Sequence, residues 1–346
     1  QAGDNDTNGI SIGVNALDNK SSTIRDRAGN IATDFTHGAV DNNSSYKVDT
    51  TAPSVDNFTM SDTELKIGDN ATVTLVFSEA VIEFSSAADI TADNGTLSTM
   101  TSVDNITWIG YFTPTDDIED DNNTLSLATS YTDPAGNNGP DNQTANYEID
   151  TKEPTVSSVA ITSAAGIQNN FVNATDNVSV TATFSEAVIV DNSSGNPIIT
   201  LVVGSTNRAA TYASGSGRDL VFRYTIQSGD NDTNGISIRE NALDNNSSTI
   251  SDLAGNIATD FTHSAVDNNS SYKVYATTFT VDNFTMSDTE LKIGDNATVT
   301  LVFSEPICGD NATSGCSLTQ TGGVDFSNAD ITIPNLDNGT PSGTVS

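Results

Sequence analysis

The sequence predicts an all-β protein built from tandem antiparallel β-sandwich modules. Three observations predict it. Apolar residues alternate with polar ones at a period of two, turn formers separate these runs, and the pattern recurs at domain-sized intervals. Val73, Leu75 and Phe77 alternate with Thr72, Thr74 and Ser78. Val178, Val180, Ala182 and Phe184 alternate with Ser179, Thr181, Thr183 and Ser185. Leu220, Phe222, Tyr224 and Ile226 follow the same rule, as do Ile106, Trp108 and Phe112. A period of two places each apolar set on one sheet face. Asn94-Gly95 and the Gly-rich stretch 215–218 break the runs as turns. No window carries a helical period with caps.

The recurrence is explicit. Residues 1–80 and 227–306 are identical at 67 of 80 aligned positions, an offset of 226. Within that unit Phe77-Ser78-Glu79 returns as Phe184-Ser185-Glu186 and as Phe303-Ser304-Glu305. Two module types therefore alternate. Residues 1–50 read as the back half of a longer module, 51–152 as a complete shorter one, 153–276 as a complete longer one, and 277–346 as the front of a second shorter one. Opening inside one repeat and stopping inside another is expected of a segment of a longer protein. Burying one face of each of two sheets gives a module of about 100 residues an adequate core.

Composition narrows the function classes. The 346 residues carry 46 acidic and 12 basic side chains, a net charge of −34. Such a surface offers little to neutralise phosphates, so nucleic acid is not an expected partner. Anionic membranes are disfavoured for the same reason, and no apolar run is long enough for membrane insertion. An acidic chain needs counterions, and divalent cations are natural ones. No enzyme is expected: His37 and His263 are equivalent positions in two copies, read as surface residues, and no nucleophile–base set repeats with them. Trp108, on an alternating strand, reads as core.

The most site-like chemistry is the loop Asp4, Asp6, Asn8 and its copy Asp230, Asp232, Asn234, each followed by glycine. Oxygen ligands at alternate positions with a glycine at the turn are how an acidic loop wraps Ca²⁺. Position twelve is Asn15 or Asn241 instead of a bidentate Glu, so further ligands must come from elsewhere. The competing reading is an Asx turn whose side chains bond their own backbone. The acidic run 116–121 is irregularly spaced and reads as a solvated loop or a second cation loop. Cys308 and Cys316, with seven residues between them, could close a local disulfide or stay as free thiols.

Several elements together resemble the bacterial Ig-like repeats of very large secreted or surface adhesins. The module ends read Asp49-Thr-Thr-Ala-Pro53 and Asp150-Thr-Lys-Glu-Pro154. Phe-Ser-Glu-Ala-Val stands at 77–81 and 184–188, and Asp-x-Ala-Gly-Asn at 26–30, 133–137 and 252–256. Arg208-Ala-Ala-Thr-Tyr212 and the acidic loop complete the pattern. The resemblance implies Ig-like sandwiches strung as an extended rod, a stalk exported to the cell surface and stiffened by Ca²⁺. Its partners would be neighbouring repeats of the same chain, with any glycan or cell-surface ligand held by other domains or by the modules themselves.

In Ig topology the Phe-Ser-Glu and Asp-x-Ala-Gly-Asn elements lie at the end where the chain enters a module. The acidic loop lies where it leaves. The expected first junction therefore gathers Asp4, Asp6, Asn8, Asp49, Glu79 and Asp133. Carboxylates gathered so closely repel unless a cation bridges them. The third junction, 275–279, has lost both Asp and Pro.

Overall fold

A computed structural model describes residues 3–304 except 288, 289, 291, 293 and 295–298. The cysteine pair lies outside the described residues. The chain is nearly all β, with one four-residue helix, Ser86–Asp89, among the described residues. The described residues divide into two compact units: those up to 154 with 251–259, and 155–250 with those from 260 on.

In the first unit a four-stranded antiparallel sheet runs in the order Val55–Met60, Ala71–Phe77, Thr107–Pro114, Gly95–Leu97. Along Ala71–Phe77 residues alternate strictly between buried and half-buried, so Ala71, Val73, Leu75 and Phe77 form the inner face. Facing strands supply Leu125, Leu127, Tyr147 and Ile149. They come from two three-stranded sheets, one containing Glu119–Asn123, Tyr147–Asp150 and Glu64–Lys66, the other Asn142–Gln143, Leu125–Leu127 and Ile90–Ala92. This is a two-layer sandwich over a single core. Trp108 is partly buried against that core, its ring 4.8 Å from Phe84. Part of the acidic run is strand: Glu119 and Asp120 pair with Asp150 and Ile149.

The second unit is built on a six-stranded sheet in the order Val156–Ala165, Asn177–Phe184, Asp219–Thr225, Thr206–Ser216, Ile198–Val203, Ser237–Asp244. Its buried face carries Val178, Val180, Ala182, Phe184, Leu220 and Phe222. Phe171–Val172, Lys273–Tyr275 and Asn231–Asp232 form a small separate sheet.

Residues 3–50 hold two short strand pairs, Asn5–Asp6 with Val48–Asp49 and Ile10–Ile12 with Val40–Asn43. Their backbone repeats that of the second copy. Asn15 and Asn241 share a left-handed φ of 54° and 55°. Gly9 and Gly235 are left-handed too, and an added Cβ would strike the Asn43 or the Asn269 carbonyl oxygen at 2.0 Å in each case. Only glycine fits that turn.

Candidate metal centre

The entry of residues 51–152 gathers three carboxylates. Asp49 ends the strand Val48–Asp49, Glu79 follows the strand Ala71–Phe77, and Asp133 opens the Asp-x-Ala-Gly-Asn loop. One carboxylate oxygen of each lies within 4.8 Å of the other two. Asp133 is buried, while Asp49 and Glu79 are half-buried. These three are among the residues the sequence places at the junction.

The loop explains how Asp133 is held. Its Oδ1 accepts hydrogen bonds from the backbone N–H groups of Ala135 and Asn137, at 2.8 and 2.9 Å. Its Oδ2 accepts from Asn137 Nδ2 at 2.7 Å. Asn137 Nδ2 also donates to the carbonyl oxygens of Asp49 and Thr51, both at 3.2 Å. Asn137 thus ties the incoming linker to the loop. Burial pushes Asp133 up, but the Asn137, Ala135 and Gly136 hydrogen bonds outweigh it and hold the carboxyl below the usual aspartate range. Glu79 has the opposite balance: burial first, then the charges of Asp49 and Asp133, raise it. Protein hydrogen bonds thus relieve Asp133, while burial and two neighbouring charges act on Glu79. The set consists of hard oxygen donors, the chemistry that suits Ca²⁺ over softer metals.

The acidic loops are placed differently. Asp6 Oδ1 accepts from the N–H groups of Asn8 and Gly9, at 3.1 and 3.0 Å, an Asx turn. Asp4 contributes its backbone carbonyl to Thr50 N–H and Oγ1. In the second copy Asp230 is buried and takes Arg208 Nη2 at 2.6 Å and Nε at 2.9 Å on one oxygen. Its other oxygen accepts from the Tyr224 hydroxyl and from Gln227 N–H. Asp232 accepts from Gly204 N–H at 2.7 Å and Gly235 N–H at 2.9 Å, while Asn234 is exposed. The structure does not gather Asp230, Asp232 and Asn234 as a ligand set. The two aspartates face inward and are satisfied by protein donors. The spacing of a cation loop and of an Asx turn is the same, and Arg208, distant in sequence, decides between them.

The histidines differ from their surface expectation: His263 is buried and His37 half-buried. His263 Nε2 accepts from Ala242 N–H at 2.8 Å, and Nδ1 lies 2.8 Å from the Ser264 carbonyl oxygen. With both ring nitrogens engaged by backbone, the ring is a brace for the loop around Asn241.

Residues 49–149 match the bacterial Ig-like domain family. Asp49 is the first residue of that match, so the three carboxylates sit at the entry of a bacterial Ig-like domain. No curated protein matches the chain. Among solved structures, FdeC, described as a broadly conserved Escherichia coli adhesin eliciting protection against urinary tract infections, aligns at 14% identity and a TM-score of 0.28. The alignment covers 64% of this chain and 64% of the FdeC chain, so the chain spans just under two thirds of that neighbour.

The Asp-x-Ala-Gly-Asn element recurs as a clamp on the Ig-like domain's exit strand. Asn256 Nδ2 donates to the Asp150 carbonyl oxygen at 2.8 Å and to Asp252 Oδ2 at 2.8 Å. Its Oδ1 accepts from Ile67 N–H at 2.9 Å. Burial, and then the charges of Asp252 and Glu119, hold Asp150 above the usual aspartate range despite the Lys152 N–H hydrogen bond and ammonium. The sequence signal for these asparagines is the triple recurrence of the element.

Proposed function

We propose that the chain is a structural stalk segment of a large bacterial extracellular adhesin, displayed at the cell surface, with Ca²⁺ stiffening the module entries. The role is mechanical and not catalytic. The observation that carries it is the convergence of Asp49, Glu79 and Asp133 where the linker meets its domain, with Asn137 already fixing that linker. A divalent cation would offset two of the three negative charges and draw the linker, the strand end and the loop onto one centre. Such a centre resists bending because any swing of the linker must break a ligand.

The test is calorimetric melting of the whole chain in Ca²⁺ and in chelator. A site filled at 100 times its dissociation constant adds about 2.7 kcal/mol to the domain it holds. The melting temperature should rise with Ca²⁺, and Glu79→Gln should abolish the rise. Without the cation, the sign follows from Glu79. Its folded carboxyl titrates above its ordinary range, so its favourable contribution is complete below that range and is lost as pH rises through the raised value. In chelator, Glu79→Gln therefore stabilises the chain at neutral pH and changes nothing in acid. A melting temperature indifferent to Ca²⁺ at every pH would remove the cation and leave the stalk. Solution scattering showing a collapsed chain would remove the stalk.

A further inference from the structure

Within residues 51–152 the chain enters and leaves through strands that end side by side. Glu64–Lys66 follows the entering strand Val55–Met60, and Tyr147–Asp150 is the leaving one. The two pair in parallel, with Glu64, Leu65 and Lys66 opposite Glu148, Ile149 and Asp150. Leu65 and Ile149 are buried, which anchors both strands in the core. Residues 153–276 repeat the arrangement, with Phe171–Val172 parallel to Lys273–Tyr275. A pull on the chain draws the first strand of such a pair toward its N-terminal end and the second toward its C-terminal end. The strands are driven past each other along their axes. A parallel ladder spaces its bonds evenly, so they are strained together instead of opening one at a time.

One side chain closes this pair at its far end. Asn256 accepts from the N–H of Ile67, the residue after Glu64–Lys66, at 2.9 Å. It donates to the carbonyl oxygen of Asp150, the last residue of the partner strand, at 2.8 Å. Asn256 is itself buried, and the Asp252 carboxylate fixes it by accepting from its backbone N–H and its Nδ2, both at 2.8 Å. Thr259 Oγ1 adds a hydrogen bond to Glu153 at 2.5 Å. The loop 251–259 therefore belongs to the first compact unit, although its sequence neighbours on both sides belong to the second. It grows from the strand Thr249–Ser251, where Ile250 is fully buried and which pairs with Ile189–Asp191. The residue that bridges the two strands is thus supplied by a segment whose own fold lies further along the chain.

We propose that the loop 251–259 is a mechanical latch: residues 51–152 reach their full resistance to tension only while residues 153–276 stay folded. The inference takes its use from the stalk reading and its basis from the geometry of Asn256. When residues 153–276 unfold, the Ile67 amide and the Asp150 carbonyl lose Asn256. The parallel pair then meets the pull through its own ladder alone.

Force-clamp stretching of the full chain, held by its two ends in chelator, tests the latch. Complete unfolding releases up to about 350 Å for residues 51–152 and up to about 430 Å for residues 153–276, so each event is identified by its step. At one fixed force the shorter step should come at least about fivefold faster after the longer step than before it, the effect of two lost hydrogen bonds on a barrier. Asn256→Ala should raise the earlier rate to the later one. Equal rates before and after the longer step in the wild type overturn the latch, and so does a difference that survives Asn256→Ala. If Asn256→Ala keeps residues 153–276 from folding, the longer step disappears and the wild-type comparison alone decides. Either failure leaves the stalk in place, because that reading falls to a collapsed chain in solution scattering.

Discussion

Residues 3–50 and 229–276 are nearly one sequence in two settings. Both make the same glycine turn, the same Asn–His brace and the same Asx loop. They differ in what lies over them. In the second copy the isoleucines go dry and the aspartates find an arginine, a tyrosine and a glycine N–H. Local structure is therefore written in the 48 residues themselves, while burial and the role of each carboxylate are set by strands that precede them. A motif that looks like a site in isolation becomes a buried structural bond once its module closes.

The largest expected difference between the copies is at the first aspartate of the loop. Asp230→Ala leaves Arg208 beside a buried void and orphans Tyr224 and Gln227 N–H. Only the Asp230 side of the pair is fully buried, so the loss costs about 1–3 kcal/mol. Burial raises Asp230, but the Tyr224, Gln227 and Arg208 interactions prevail and leave it below the usual aspartate range. Its stabilisation is thus present above that range and is lost as pH falls through the lowered value. Denaturant melts of the wild type and of Asp230→Ala should converge in strong acid. Curves that stay parallel down to low pH would show that the ion pair is not what Asp230 contributes.

Next come the isoleucines. Ile236→Ala opens a cavity in a closed core and should cost about 2–4 kcal/mol. Ile10→Ala, its counterpart, should stay within about 0.5 kcal/mol because the side chain is already half in water. Equal losses in urea melts would mean that residues 3–50 are covered in solution by something the chain itself supplies.

The same contrast marks what was legible in advance. Alternation in Ala71–Phe77 and Asn177–Phe184 announced the sandwich faces because sheet geometry converts period directly into side. Asp49, Glu79 and Asp133 could be placed together because module topology fixes which ends of strands are neighbours. The fate of Asp230 could not be read, since it depends on Arg208 and Tyr224 arriving from other strands of the sheet. His263 was hidden for a related reason: a polar ring is buried cheaply when backbone groups take both nitrogens, and no local pattern records that. Asn137 and Asn256 were within reach, because the recurring element carries an invariant amide beside its aspartate. An amide has the donors that an acidic cluster lacks.

Those asparagines give the smallest contrast. Asn30, Asn137 and Asn256 close the same loop onto Asp26, Asp133 and Asp252 through their Nδ2 groups. Asn256 also donates to the Asp150 carbonyl and receives Ile67 N–H, and Asn30 closes an exposed loop. Asn256→Ala should cost about 1–2 kcal/mol, since it strips a part-buried carbonyl and an N–H of their partner, whereas Asn30→Ala should cost a few tenths. Hydrogen exchange localises the difference: the Ile67 amide should exchange faster in Asn256→Ala and be unmoved in Asn30→Ala. If the Ile67 amide keeps its protection without Asn256, the clamp is a loop-closing device in every copy.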